Sequence, residues 1–361
     1  MKNFCIVSFC NIYVTPYAKI YIDAILGSGN QVTLLFWDRD AVKGQNDNYP
    51  KCEKIVYQRK LTNTSSKKEK LLGYIEATRF FRKALKDNNF SGVILLQTHA
   101  AVACESILRK RYPKRYIIDI RDYTMENLRI YRKLEKKVID SSFMSVISSP
   151  AYEKFLPEHK YVIAHNYTPY SQTVVDEVRK KSKENKMPIK ISFIGKVRFI
   201  DMDKKLLSLF ANDERFKLCY YGTGSEVLEA FCKEKQINNV DFYGRFQPEQ
   251  TASFYSKTNL INNLYGNHNP YLDFALSNKL YHAAQFHIPI LVCPETYMEE
   301  ISKKYAIGYV FDVNDTSGPN KLYDWFQKLD YDKMSAGADE FLEKVKKDNE
   351  EYLKQIERFV G

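Results

Sequence analysis

The first half of the chain alternates short apolar runs with longer amphipathic segments. Six runs have the length and composition of buried strands: "NFCIVSF", "QVTLLFW", "KIVYQ", "GVILLQ", "RYIIDI" and "FMSVIS". A helix is predicted between the first two, because Thr15 is placed to cap it and Ile20 and Ala24 fall on one face. Strands that alternate with helices predict a doubly wound parallel sheet.

The same alternation restarts after the polar segment "VIAHNYTPYSQ". Further strands are predicted at "IKISFIG", "FKLCYYG", "VDFYG", "NLINNL", "IPILV" and "IGYVFD". The chain then ends in a long charged helix. We therefore predict an α/β protein with two Rossmann-like doubly wound domains, at residues 1–165 and 166–338, followed by a C-terminal helix at 339–361.

The composition is typical of a soluble globular protein, with 361 residues, 44% hydrophobic and 27% charged. The seven cysteines form no CxxC pair, which disfavours a disulfide framework or a zinc site and favours a reducing compartment. The N-terminal run allows a signal peptide, but Asn11 and Pro16 interrupt it and favour a first buried strand. No apolar stretch reaches the ~18–20 residues that span a bilayer, so we expect a cytoplasmic chain.

The charge is concentrated in the N-terminal half. Residues 1–170 hold 28 Lys and Arg against 16 Asp and Glu, a net +12, whereas residues 171–361 hold 27 against 28, a net −1. This asymmetry indicates an anionic partner. Because the sequence contains no nucleic-acid-binding motif, an anionic membrane surface is the candidate. A solvated lysine-rich surface is the alternative. The basic segment 59–85 either binds that membrane peripherally or packs against the protein core.

Glycine and cations follow the first strand of the second half. The strand "KISFI" ends at Gly195, and Lys196, Arg198 and Lys204 come soon after it, around a helix start. Because glycine allows close backbone approach and a helix N-terminus favours anions, these residues predict a phosphate site. A solvated basic loop is the alternative.

Two further strand ends repeat this arrangement. Gly244 and Arg245 follow "VDFY", and a helix opened by Pro248 comes next. The stretch "SNKLYHAAQFHIPILV" puts Asn278 and Lys279 at the start of a helix that leads into a buried strand. In open α/β sheets, nucleotides bind at the carboxyl ends of the strands.

Three motifs carry less weight. The pair Gly222-x-Gly224 lacks the third glycine of a nicotinamide fingerprint and predicts a tight turn, although the glycine backbone can still approach a ligand. The acidic triplet at 38–40 follows a strand and is the better Mg²⁺ candidate, whereas the triplet at 201–203 is expected to cap a helix. Both triplets are common by chance, and we assign no metal site.

Polar residues also follow two strands of the first half. His99 comes after "ILLQ", and Arg121 and Asp122 come after "YIIDI". Both positions lie where ligands bind in open sheets, although His99 can equally be structural and Asp122 can equally cap a helix.

The motifs "DIRD", "VISSPAYEKFL", "HNY", "FIGKVR", "YGRF" and "SNKLYHAAQFHIPILV" follow one another in an order that resembles GT-B fold glycosyltransferases. Within them, the chain resembles retaining glycosyltransferase family 4 and related enzymes of bacterial polysaccharide clusters. The resemblance implies two domains facing across a cleft, with a nucleotide-sugar donor on the C-terminal domain and a saccharide or lipid-pyrophosphate-linked acceptor on the N-terminal domain. It also implies a last helix that crosses back to the first domain, metal independence, and no cofactor besides the donor.

The resemblance assigns roles to individual residues. Asp122, His99 and Arg198 would act in catalysis, and Thr15 and Arg121 would lie on the acceptor side. The donor would be held by the following residues: Gly195, Lys196, Lys204, Gly222, Gly244, Arg245, Phe246, Asp273, Ala275, Leu276, Ser277, Asn278, Lys279 and His282. If the enzyme inverts instead of retaining, Asp122 is the candidate general base.

Two positions depart from the family pattern. The family often carries two glutamates eight positions apart, where this chain has Phe274, with Asp273 beside it, and His282. Lys196 occupies the slot of the usual arginine. A catalytically degenerate binding or scaffold protein of a glycosylation complex is therefore the alternative function, and a second copy of the chain is a further candidate partner.

Overall fold

The computed structural model describes residues 1–40, 48–62, 64–184 and 187–361, and divides the chain into two compact units. Unit 1 comprises Met1–His165 with Asp348–Gly361, and unit 2 comprises Asn166–Lys347. Each unit is an α/β sheet structure, so the predicted fold class is confirmed. No helix of the described residues has the length and apolar character needed to cross a membrane.

Among its described residues, unit 1 holds a seven-stranded parallel sheet in the order β3-β2-β1-β4-β5-β6-β7. Strands β1 to β7 are Asn3–Ser8, Gln31–Asp38, Glu53–Gln58, Gly92–Leu96, Tyr116–Ile120, Met144–Ile147 and Val162–Ile163. Helices α1 to α5 are Ala18–Gly27, Lys67–Asp87, Thr98–Ala103, Glu105–Arg111 and Arg129–Ser141. The central strands are buried on both faces, which explains their unbroken apolar sequences.

The described part of unit 2 holds a six-stranded parallel sheet in the order β10-β9-β8-β11-β12-β13. Strands β8 to β13 are Ile189–Ile194, Phe216–Tyr221, Val240–Gly244, Leu260–Asn263, Ile290–Val292 and Gly308–Val310. Helices α6 to α14 are Gln172–Glu184, Ile200–Leu209, Glu226–Lys235, Thr251–Tyr255, Pro270–Asp273, Asn278–Phe286, Tyr297–Lys304, Gly318–Gln327 and Tyr331–Val360. Apolar clusters cover both faces of the sheet.

The last helix contributes to the cores of both units. It begins at Tyr331, earlier than the predicted residue 339. Its last turns belong to unit 1, where Tyr352 and Ile356 join the core and the Phe359 ring lies 5.6 Å from that of Phe4. Because these side chains are apolar and regularly spaced, the end of the helix is fixed by burial in unit 1.

Helix α1 starts differently from the prediction. It begins at Ala18, and Thr15 does not cap it. The buried Thr15 hydroxyl instead donates a hydrogen bond to the Ile12 carbonyl at 2.9 Å, in the short turn before the helix. The hydroxyl is thus satisfied locally, which is a common alternative to capping.

Candidate functional site

A cleft of about 470 Å³ opens at the carboxyl edge of the sheet in unit 2. Its lining comes from the segments that follow β8, β10, β11 and β12 and from the start of α11. Nine residues predicted from the sequence line it: Gly195, Lys196, Arg198, Phe246, Ala275, Ser277, Asn278, Lys279 and His282. None of the described lining residues is acidic.

The N-terminus of α11 supplies hydrogen-bond donors to this cleft. The Ser277 hydroxyl caps the helix by accepting from the Lys279 amide at 3.2 Å. The first backbone N–H groups of a helix have no partner within it, and the helix dipole makes this end partly positive. The turn at Ser277 and Asn278 is therefore a ready anion-binding surface.

Lys279 is a buried cation held by aromatic rings. Its Nζ lies 4.1 Å from the centroid of the Phe193 ring and 4.8 Å from that of Tyr265, whose hydroxyl it also contacts. No carboxylate of the described residues forms an ion pair with it, although only 6% of the residue is exposed. Ring faces stabilise a cation only partly, so Lys279 remains available to an anionic ligand in the cleft.

The backbone around Gly195 is shaped by a second glycine. Gly195 has φ +136° and Gly222 has φ +133°. A Cβ on Gly222 would lie 1.9 Å from the Gly195 carbonyl oxygen, a distance that no side chain can occupy. Gly222 is therefore packed against the loop of Gly195 and does not itself line the cleft.

His282 lies in the cleft as a neutral imidazole. Its Nδ1 is 2.9 Å from the Tyr255 hydroxyl, and its ring packs edge-on against Tyr170 at 5.8 Å. Burial, with a smaller contribution from Lys279, lowers the pKa of His282 to about 4. The imidazole therefore carries no charge near neutral pH, and offers one ring nitrogen besides Nδ1.

Several cleft residues were not predicted from the sequence, and Asn263 is the most informative of them. It ends β11, is 4% exposed, and its Oδ1 is buried without a hydrogen-bond partner. Tyr255 and Tyr265, which orient His282 and Lys279, were also missed. A signal was present for Asn263, since the polar pair "NN" stands at the carboxyl end of an apolar strand.

Comparisons with solved structures decide the fold. The chain is similar to sucrose-phosphate synthase from Thermosynechococcus elongatus, with a TM-score of 0.68, 11% identity, and coverage of 100% of this chain and 95% of that one. It is also similar to the lipopolysaccharide outer core galactosyltransferase WaaB, with a TM-score of 0.66, 13% identity and 99% coverage of both chains. A third similar structure is Anabaena HepE in complex with UDP, with a TM-score of 0.66, 10% identity and 99% coverage of both chains.

The chain has the GT-B fold. No family model matches its sequence, and no curated protein matches it significantly. In its GT-B architecture, the cleft of unit 2 occupies the carboxyl edge of a doubly wound sheet, the general position of ligand sites in such sheets.

Several residues that the resemblance assigns to donor binding lie outside the lining of the cleft in unit 2. Lys204 is one turn into α7, where its Nζ lies 5.4 Å from the Phe231 ring centroid. Gly244 ends the edge strand β10, the exposed Arg245 follows it, and Leu276 is packed in the core. Asp273 ends α10, and its Oδ1 is buried without a hydrogen-bond partner.

In the N-terminal GT-B unit, Arg121 is committed to a buried ion pair. Its Nε and Nη2 donate to the two oxygens of Asp119 at 2.5 and 2.9 Å, and its Nη1 donates to the Ala164 carbonyl at 2.7 Å. Tyr21 donates a further bond to Asp119 at 2.8 Å. At least three of the five N–H groups of the Arg121 guanidinium are thus bonded within the protein.

His99 and Asp122 follow the neighbouring strands β4 and β5. His99 lies in the first turn of α3, edge-on to the Phe9 ring at 5.6 Å, and burial lowers its pKa to about 4. Its Nε2 is buried without a hydrogen-bond partner. Partial desolvation raises the pKa of the Asp122 carboxyl, whereas Arg121 lowers it. Asp122 caps no helix, because α5 begins only at Arg129.

The two acidic triplets have ordinary structural partners. Asp38 accepts a hydrogen bond from the Asn11 amide at 2.8 Å, and Asp40 contacts the Tyr13 hydroxyl. Asp201 and Asp203 lie in the first turn of α7, but neither caps it, contrary to the prediction. Asp203 instead accepts from the Tyr220 hydroxyl at 2.9 Å.

Proposed function

We propose that this chain is a glycosyltransferase that moves a sugar from a nucleoside diphosphate to a hydroxyl of a saccharide or lipid-linked saccharide in the synthesis of a bacterial surface polysaccharide. The observation that carries the proposal is the charge of the cleft in unit 2. Lys196, Arg198 and Lys279 meet there with the N-terminus of α11, and no described lining residue is acidic. Such a site suits a diphosphate.

The structures of similar fold support a nucleotide-sugar donor. They include the galactosyltransferase WaaB, and HepE has been solved in complex with UDP and with UDP and glucose. By analogy, the uncharged wall formed by His282, Tyr255 and Phe246 would face the nucleoside, and the cationic end would face the diphosphate.

The reaction would use this charge in the transition state. When the sugar leaves, negative charge builds on the diphosphate, and preorganised cations and backbone N–H groups stabilise it without rearranging. Lys279, Lys196 and Arg198 would do this without a metal ion. We propose retention of the anomeric configuration, with His99 and Asp122 as the candidate catalytic residues of unit 1.

We propose further that unit 1 docks on an anionic membrane at the cytoplasmic face, where a lipid-pyrophosphate acceptor would be presented. Helix α2 carries seven Lys and Arg against three Asp and Glu. Its Leu71 and Leu72 are 61% and 51% exposed. Exposed leucines beside lysines on one helix combine the apolar and electrostatic contributions that interfacial binding needs.

We expect nucleotide binding to depend on Lys279. Lys279→Met should weaken the affinity for a nucleoside diphosphate sugar roughly 10-fold or more, since charge-assisted hydrogen bonds contribute about 1.5–3 kcal/mol. Calorimetry against UDP, GDP, dTDP and ADP hexoses measures this, with Lys204→Met, outside the cleft, as the matched control. If no nucleotide binds the wild-type protein, the scaffold alternative is favoured.

His282→Ala should weaken the same binding roughly 3- to 10-fold, the effect of one neutral hydrogen bond of about 1 kcal/mol. Tyr255→Phe, which leaves the imidazole without its orienting hydroxyl, should give a smaller loss. His159→Ala in unit 1 is the control. An unchanged affinity in His282→Ala would mean that this histidine only packs.

The stereochemistry of the product tests the proposed mechanism. With an α-linked donor, proton NMR of the first-formed product should show an α-linkage. A β-linked product would contradict retention, and Asp122 would then be the first candidate for the general base.

Membrane docking should fall with ionic strength and with loss of the leucines. Wild-type protein should sediment with vesicles containing anionic lipid and less so at high salt, because exposed charges are screened. Substituting Leu71→Ser and Leu72→Ser together should reduce binding, whereas Leu353→Ser, also exposed, should not. Equal binding to neutral and anionic vesicles would contradict the proposal.

A further inference from the structure

A buried carboxylate lies behind the cleft and has no part in the chemistry described so far. Asp203, in the first turn of α7, is 3% exposed. Its Oδ1 accepts a hydrogen bond from the Tyr220 hydroxyl at 2.9 Å. An ionised carboxylate in such a position is costly unless charges or hydrogen bonds compensate it, so its surroundings decide its state.

The elements around Asp203 offer few compensating groups. Strand β9 contributes the Tyr220 hydroxyl, which Cys232 of α8 flanks, and β11 contributes the uncharged Asn262. Helix α11 contributes Lys279, whose positive charge favours the ionised form of Asp203. Burial outweighs the favourable effects of Tyr220, Lys279 and Asn262 and raises the pKa of Asp203 to about 6.

Lys279 connects this carboxylate to the cleft. Its ammonium group lies on the Phe193 and Tyr265 rings and lines the cleft, while no described carboxylate ion-pairs with it. The ring of Tyr220, whose hydroxyl binds Asp203, stacks on the Phe193 ring at 5.9 Å, so these two rings connect the carboxyl group to the surface on which Lys279 lies. Interactions between charges are stronger in the protein interior than in water.

We propose that Asp203 is a positioning residue that takes up a proton when a diphosphate enters the cleft, so that binding is tighter when this carboxyl is neutral. The inference rests on the proposed function, because it needs a diphosphate bound beside Lys279. In the free protein, an ionised Asp203 offsets part of the charge of Lys279. Once phosphate oxygens are near, the same negative charge repels them, and the neutral carboxyl is preferred.

The sign of the pH dependence follows by linkage. Bound diphosphate raises the pKa of Asp203 above its value of about 6 in the free protein. Affinity is then lowest at a pH above both pKa values and increases as the pH falls through them. If the pKa of Asp203 is higher by about one in the bound protein than in the free protein, the affinity differs roughly 10-fold between the two pH limits.

Calorimetry of a nucleoside diphosphate hexose at a series of pH values tests this coupling. Each of the two phosphates of such a donor keeps only one strongly acidic hydroxyl, which is ionised throughout this range, so the donor itself does not titrate. We expect wild-type affinity to increase about 3- to 10-fold from about pH 8 to about pH 5.5, with net proton uptake seen as a dependence of the binding heat on the buffer. Asp203→Asn should bind with little pH dependence, at an affinity near that of the wild type at low pH.

Two further variants sharpen the result. Asp201→Asn removes the same charge from an exposed position on the same turn and should keep the wild-type profile. Tyr220→Phe removes the hydrogen bond that favours the ionised carboxyl, so the transition should move to higher pH. This variant also decides the matter if Asp203→Asn does not fold.

The outcomes separate the two proposals. If a nucleotide sugar binds with equal affinity at every pH, or if Asp203→Asn keeps the wild-type profile, the coupling is overturned and the proposed function stands. Weaker binding of Asp203→Asn at every pH would also overturn it, because the carboxylate would then be needed in its charged form. If no nucleotide sugar binds at all, both proposals fail.

Discussion

The anion site proposed in unit 2 depends on one buried cation with which no described carboxylate forms an ion pair. Lys279 is kept from water by the rings of Phe193 and Tyr265, which stabilise an ammonium group without neutralising it. A carboxylate in their place would form an ion pair and remove the attraction for a phosphate. The rest of the cleft follows the same rule, since its described lining contains cations, hydroxyls, amides and a neutral imidazole, but no acid.

Backbone geometry brings the other donors to this cation. Because Gly222 has no Cβ, its loop passes closer to the Gly195 carbonyl than any side chain would allow, and both glycines have positive φ angles. That contact fixes the turn after β8, from which Lys196 and Arg198 extend. On the facing side, the Ser277 cap fixes where α11 begins, so that its free N–H groups open on the cleft. Both features are local consequences of residue types that the sequence displays.

These local features explain how much of the fold and of the cleft could be predicted from the sequence. Unbroken apolar runs predicted the two parallel sheets, and residues at strand ends predicted much of the cleft lining. Contacts between distant segments were not predictable. The hydroxyl of Tyr255 beside His282, or the ring of Tyr265 beside Lys279, depends on how α9, α11 and β11 pack. Thr15 shows the reverse error, because a hydroxyl placed to cap a helix can be used instead by a local bond to a backbone carbonyl.

A neutral histidine suits position 282 better than a glutamate would. A glutamate there would put a negative charge one helical turn from Lys279, inside a cleft with no other described acid in its lining. The imidazole avoids this, because burial keeps it neutral while it still forms a hydrogen bond with Tyr255. A buried carboxyl group, Asp203, lies outside the described lining of the cleft, and burial raises its pKa to about 6. An anion site can thus keep a nearby carboxyl group, provided that the carboxyl can become neutral when the anion arrives.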